Sequence, residues 1–374
     1  MWWLIARIVI SGGLLAMFFL PPLPVSIPVV SRLLPHQLSL GTLAGDLVHA
    51  SPGWLLAAML LTAPVIVLVS WKWQILLQAL GVRERLPRLI RMNLVGGFYS
   101  LVLPGEETGQ LAKGVLLAPH SKGDAVAASI VVDEILGTLS VFTIALVALA
   151  LTNPFPLRVP IAAALAIMLG LFAVALLLVV VPRFHGIARA IIERGWPAVG
   201  LALVWPMRPF APKTAERFSA RLESARTRFL AWLEPFWQRL ADYHRTPLPL
   251  LAAFAITVAA HMLANVSAYS TMHAVGADVS YLDVCWIYAA ISALVTIPIT
   301  ISGFGVREQA NVRILGPLGV APSQALAVSL LAFAIGFVWS MPGALLQFGI
   351  KSRGRPTPPA AEPFAEPVAG GAAR

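Results

Sequence analysis

Six stretches of this chain, 4–23, 54–80, 125–151, 159–181, 248–275 and 324–350, are almost uninterrupted apolar sequence. An α-helix needs about twenty residues to cross the roughly 30 Å hydrocarbon core of a bilayer, and each stretch reaches that length. Inside a bilayer every backbone N–H and C=O must be satisfied within the segment, which restricts such stretches to helices. The chain is 58% hydrophobic and 12% charged, against about 45–50% apolar residues in soluble domains. The fold class is therefore an all-α integral membrane protein. The single cysteine, Cys285, excludes an intrachain disulfide framework and a thiolate metal cluster.

Two further apolar segments are broken. LPGEETGQLAKGVLL, 103–117, carries Pro104, Gly109 and Lys113, and LVTIPITISGFGVREQANVR, 294–313, carries Pro298, Gly303, Gly305, Arg307 and Glu308. In both, proline is followed five residues on by glycine and nine on by a cation. Proline removes a backbone donor, glycine loosens the turn, and a charge is costly in hydrocarbon. A broken helix lining a cavity accommodates all three, so each segment reads as a re-entrant hairpin, 92–117 and 284–320. Downstream, DAVAAS at 124–129 resembles QALAVS at 324–329. The pattern predicts six spanning helices and two broken-helix hairpins, in repeats of about 54–151 and 248–350.

Basic residues orient the chain, because cytoplasmic loops of membrane proteins are enriched in Lys and Arg. Arg83, Arg85, Arg88 and Arg91 crowd one loop; residues 183–246 hold eleven Lys and Arg against five Asp and Glu; Lys351, Arg353 and Arg355 follow the last apolar run. These sites belong inside, with both termini. The loop GADVSYLD at 276–283 carries no cation and belongs outside. The first hairpin then enters from the cytoplasm and the second from outside, an inverted-topology repeat. The same asymmetry accounts for the +10 net charge without a nucleic-acid partner. Trp71, Lys72 and Trp73 read as an interface anchor. Within 183–246, Phe218, Leu222, Phe229, Leu233, Phe236 and Leu240 recur at helical spacing among arginines. That amphipathic helix lies either on anionic lipid of the inner leaflet or on the protein's own cytoplasmic face. The Pro/Ala-rich tail 351–374 reads as disordered.

Asp133 and Glu134 lie deep in an apolar run, where each costs at least about 2.5 kcal/mol if it faces lipid. Successive helical residues point about 100° apart, so only one of them is expected on a given cavity wall, with Glu134 favoured. Lys113 and Arg307 are the matched cations of the two broken segments. Either they hold the phosphate of a lipid headgroup, aided by backbone donors freed at the helix breaks that Pro104, Gly109, Pro298, Gly303 and Gly305 mark, or they neutralise Asp133, Glu134, Glu308 and their neighbours. His261 and Asn265, four residues apart, suit an interhelical hydrogen bond. No metalloprotease, nucleophile-elbow, CxxC or nucleotide-binding motif occurs, and no cofactor or metal is expected.

The segment IPITISGFGVREQANVRILGPLGV, 297–320, resembles the C-terminal signature of the lysylphosphatidylglycerol synthase transmembrane (flippase-like) family, a proline followed by a Gly-x-Gly-Val-Arg-Glu core. LVLPGEETGQLAKGVLLAPHSKGDAVAASIVVDEILG, 101–137, is similar to its N-terminal signature, with departures at Thr108-Gly109-Gln110, Lys113 and Asp133-Glu134. The resemblance implies flippase-like movement of a lipid with an anionic or zwitterionic headgroup across a bacterial-type inner membrane by alternating access. The substrate-binding residues expected from charge and spacing are Arg307, Lys113, Glu308, Glu134 and Asp133, with Gly303, Gly305, Pro298, Pro104 and Gly109 at the breaks. No soluble aminoacyl-transferase segment is expected, so the resemblance does not imply aminoacyl-lipid synthesis. The other reading is an intramembrane lipid-modifying transferase, or an accessory subunit of one, with Glu134 or Glu308 as base.

Overall fold

The computed structural model describes residues 39–102, 108–118, 121–152, 158–184, 212–295 and 305–349, with short pieces between 186 and 197. The expected first span 4–23, the tail 351–374, and Pro104, Pro298 and Gly303 lie outside the described residues. Eleven α-helices of nine or more residues are described: α1 Leu40–Val48, α2 Pro52–Ala79, α3 Leu86–Val102, α4 Thr108–Leu117, α5 Gly123–Leu151, α6 Arg158–Val180, α7 Pro212–Asp242, α8 Pro247–Ala274, α9 Tyr281–Val295, α10 Val306–Leu315 and α11 Pro322–Leu346. Among the described residues there is no strand. Among the described residues four helices, α2, α5, α8 and α11, are long and apolar enough to cross a membrane.

Helices α2 and α8 are alike in build. Each has 28 residues and starts with Pro, whose fixed φ and missing N–H suit the first helical turn. Each ends on a left-handed glycine, Gly81 or Gly276, both at φ 74°. They pack antiparallel: Ser51 N–H donates to the Ala274 carbonyl at 2.7 Å, and Tyr243 Oη donates to the Leu76 carbonyl at 2.9 Å near the other end.

The two broken segments form helix pairs. Thr108 Oγ1 donates to the Tyr99 carbonyl at 3.3 Å, and Lys113 Nζ lies 3.5 Å from Asn93 Oδ1, so α4 runs back along α3. At this crossing Gly109 is pressed against the Gly96 carbonyl, leaving no room for a Cβ. Helices α4 and α10 have ten residues each, about 15 Å of helix, half of what a hydrocarbon core demands.

Each pair packs chiefly on a long helix from the other part of the chain. Helix α3 lies on α11, where Gly343 sits against the Leu94 carbonyl and Arg91 donates to the Leu346 carbonyl at 2.6 Å. Helix α9 lies on α5, where Cys285 packs with Ile144 and Ala148. Two apolar clusters result. One gathers Phe142, Leu149, Trp286, Ile287 and Leu326. The other gathers Trp73, Leu76, Leu89, Leu117, Val132 and Tyr243.

The amphipathic helix α7 packs its end on the protein itself. Phe236, Trp237 and Leu240 enter the second cluster, and Arg239 Nε donates to Asp124 Oδ2 at 2.6 Å. That bond holds the Arg239 guanidinium above its ordinary range. Phe218, toward the start of the helix, is 36% exposed.

Candidate polar cavity between the helix pairs

Helix α5 carries charge where the two apolar clusters meet, and the chain answers it with buried cations from two other helices. Asp133 is 2% exposed, Lys113 2% and Lys72 5%. Lys113 Nζ, on α4, donates to Asp133 Oδ2 at 3.2 Å. Lys72 Nζ, on α2, stands 2.8 Å from Asp133 Oδ1. That second contact is the shorter of the two. An isolated charge buried at such depth costs several kcal/mol, of order 3–5 when a partner is removed, so the three groups form one unit.

Neighbouring side chains hold the unit in place. The Lys113 ammonium sits 4.6 Å from the centre of the Trp73 ring, and Trp73 Nε1 donates to Ser129 Oγ at 3.0 Å. Asn93, within reach of Lys113, donates through Nδ2 to Ser70 Oγ at 2.8 Å. Lys72 and Trp73 are therefore interior residues and not the interface anchor their Trp-Lys-Trp setting predicts. Trp71 alone of the three is exposed, at 46%. Helix α2 runs seven residues past Lys72, to Ala79.

A cavity of about 270 Å³ opens beside this unit, walled by α2, α4, α5, α8 and α9. Lys72, Gln110, Asp133, Glu134 and His261 supply its polar lining, and Tyr288 and Ser292 close it from α9. Glu134 Oε2 accepts from Gln110 Nε2 at 3.0 Å. His261 Nδ1 lies 2.6 Å from Ser140 Oγ, an interhelical hydrogen bond of the expected kind. Both Asp133 and Glu134 face this one cavity, against the expectation that only one would. The reason is the width of the wall: Gly137, Thr138, Val141 and Phe142 continue the same stripe, which covers more than a single row of α5. Gly137 leaves the wall open, with nothing within 4 Å of where its Cβ would stand.

The second cation belongs to a different cluster. Helix α10 begins after Gly305, at φ 85°, a left-handed conformation that glycine adopts without strain. The Gly305 N–H donates to Glu308, which is fully buried and also accepts from Ser329 Oγ at 2.8 Å. Arg307 Nε stands 3.3 Å from Glu308 Oε1 and 3.2 Å from Ser329 Oγ, and its guanidinium lies 5.9 Å from the Phe333 ring. Lys113 thus meets Asp133, and Arg307 meets Glu308. Gly109 is a packing position at the α3–α4 crossing. Lys72 is the site residue that sequence reasoning missed.

A second cavity, of about 290 Å³, lies between α2, α3 and α11, with Asn93 and Ser340 among mostly apolar walls. Val69 borders both cavities. Among the described residues no group of three or more His, Cys, Asp or Glu is arranged to hold a metal ion.

Compared with known families, residues 4–343 match the model described as lysylphosphatidylglycerol synthase TM region. No curated protein and no solved structure matches the chain.

Proposed function

This chain belongs to the lysylphosphatidylglycerol synthase TM region family, and on that premise we propose that it moves a lipid with a charged headgroup across a bacterial-type inner membrane. The observation that carries the reading is the polar cavity walled by Lys72, Asp133, Glu134 and His261, set among helices whose outer faces are apolar. A volume of about 270 Å³ lies just under the range of about 300–1,000 Å³ found for small-molecule sites, so it suits a headgroup whose acyl chains stay in the bilayer.

Alternating access by two inverted repeats is supported by the packing. Exchanging α2–α5 for α8–α11 turns the contact of α3 with α11 into that of α9 with α5. The cation of each short helix meets a residue four positions beyond the matched serine: Lys113 meets Asp133 after Ser129, and Arg307 meets Phe333 after Ser329. The two cavities lie on either side of Val69, the first lined from both hairpins and the second from α3 of the first, which suits two chambers along one path. Loop charge puts both termini in the cytoplasm.

The test is reconstitution into vesicles carrying a fluorescent phospholipid, with a membrane-impermeant quencher reading the outer leaflet and mass spectrometry reading the lipid. The expected result is protein-dependent exchange between leaflets with lipid mass unchanged, reduced at least tenfold in Glu134→Gln. A changed mass would instead make the protein a lipid-modifying enzyme.

A further inference from the structure

Two lysines on one carboxylate leave a buried unit with a net positive charge. Lys72, Lys113 and Asp133 sum to +1, and each is at least nine-tenths buried. The two cations are not equivalent. Lys113 is fixed by a hydrogen bond to Asp133 Oδ2 and by the Trp73 ring, and it stands off the cavity. Lys72 lines the cavity, so its ammonium, 2.8 Å from Oδ1, is the cation of the unit that an entering ligand reaches.

We infer that Lys72 is a seat for a phosphodiester oxygen and works by ion-pair exchange. An entering phosphate takes the Lys72 ammonium from Asp133, while Lys113 stays behind and keeps the carboxylate neutralised. The buried charge of the unit then falls from +1 to zero, so the ligand is bound without leaving a charge unpaired. No covalent bond changes. Glu134 faces the same cavity; a headgroup that carries its own cationic arm satisfies both walls, whereas a bare anion meets one repelling carboxylate. The ligand class is thus a zwitterionic phospholipid headgroup. This assignment rests on the lipid-transport reading above for its source of phosphate, and on the geometry of Lys72 for the seat.

Binding of a short-chain phosphatidylethanolamine to the full chain in detergent, followed by calorimetry, is the test. Lys72→Gln lowers affinity at least tenfold, because the amide can still bond Asp133 but offers no charge. Asp133→Asn raises affinity at least tenfold, because Lys72 loses its competitor. Equal affinity in Lys72→Gln, or a loss in Asp133→Asn as deep as in Lys72→Gln, overturns the exchange. Lys113→Gln supplies the same test should Asp133→Asn fail to fold. Asp133 then depends on Lys72 alone, and affinity falls although Lys113 does not reach the cavity; wild-type affinity there overturns the exchange. Inorganic phosphate competes more weakly than the lipid, and competition of equal strength assigns the seat to the free ion and overturns the lipid class. Translocation that persists in Lys72→Gln removes the seat and leaves transport standing. Binding with the expected pattern in a protein that moves no lipid does the reverse.

Discussion

Gly137 is the residue where helix preference and cavity shape oppose each other. It sits in the middle of a 29-residue helix, where glycine costs about 1 kcal/mol relative to alanine, and nothing packs on it. Gly137→Ala should therefore raise stability in detergent by about 0.5–1 kcal/mol, read from thermal unfolding. Gly137→Phe should also fold, since its side chain projects into open space, yet reduce lipid translocation at least tenfold by filling the chamber. A Phe variant with full transport would mean that the lipid takes another route. Of the residues around this chamber, Asp133, Glu134 and His261 stand out in the sequence because ionisable groups are rare in an apolar run. Lys72 does not, because a lysine between two tryptophans near a helix end has the composition of an interface anchor. Only the placement of α5 beside α2 turns that lysine inward.

Helix α7 shows what periodicity encodes and what it omits. The spacing of Phe218, Leu222, Phe236 and Leu240 specifies an amphipathic stripe, and the helix is present over Pro212–Asp242. Which surface covers the stripe is not written in that spacing, since an inner leaflet and a protein face demand the same apolar row. The described contacts divide it: Leu240 is wholly buried beside Trp237 and Tyr243, while Phe218 is exposed. Leu240→Ala should cost about 2–5 kcal/mol, as truncation of a packed leucine does. Phe218→Ala should change unfolding by less than about 0.5 kcal/mol, as an exposed position does. Chemical denaturation of both variants in the same detergent checks the contrast; equal losses would mean that the whole stripe is packed on protein.

Across the whole molecule, the loop holding Lys122 and the loop holding Asp278 lie at opposite ends of the antiparallel α2–α8 pair. Ser121 Oγ donates to Glu84 at 3.1 Å beyond the end of α2, while Ser51 N–H meets Ala274 at its start. In a Cys285→Ala background, Asp278→Cys should react with an impermeant maleimide on intact cells and Lys122→Cys only after permeabilisation; the reverse pattern would invert the orientation, and labelling from one side would remove the inverted relation. The spans over α2, α5, α8 and α11 were legible from length and apolarity alone. The paired broken segments were legible from the Pro-Gly-cation spacing, but the exchange of partners between hairpins was not, because Gly343 meeting the Leu94 carbonyl leaves no pattern within either segment. That exchange also sets an order of events at the ribosome. The first hairpin emerges before its covering surface, α11, which follows only after α5 to α10, so the groove beside Leu94 waits uncovered until that helix is made. Insertion machinery or lipid has to shield it in the interval, and a chain terminated before Pro322 would leave that need permanent.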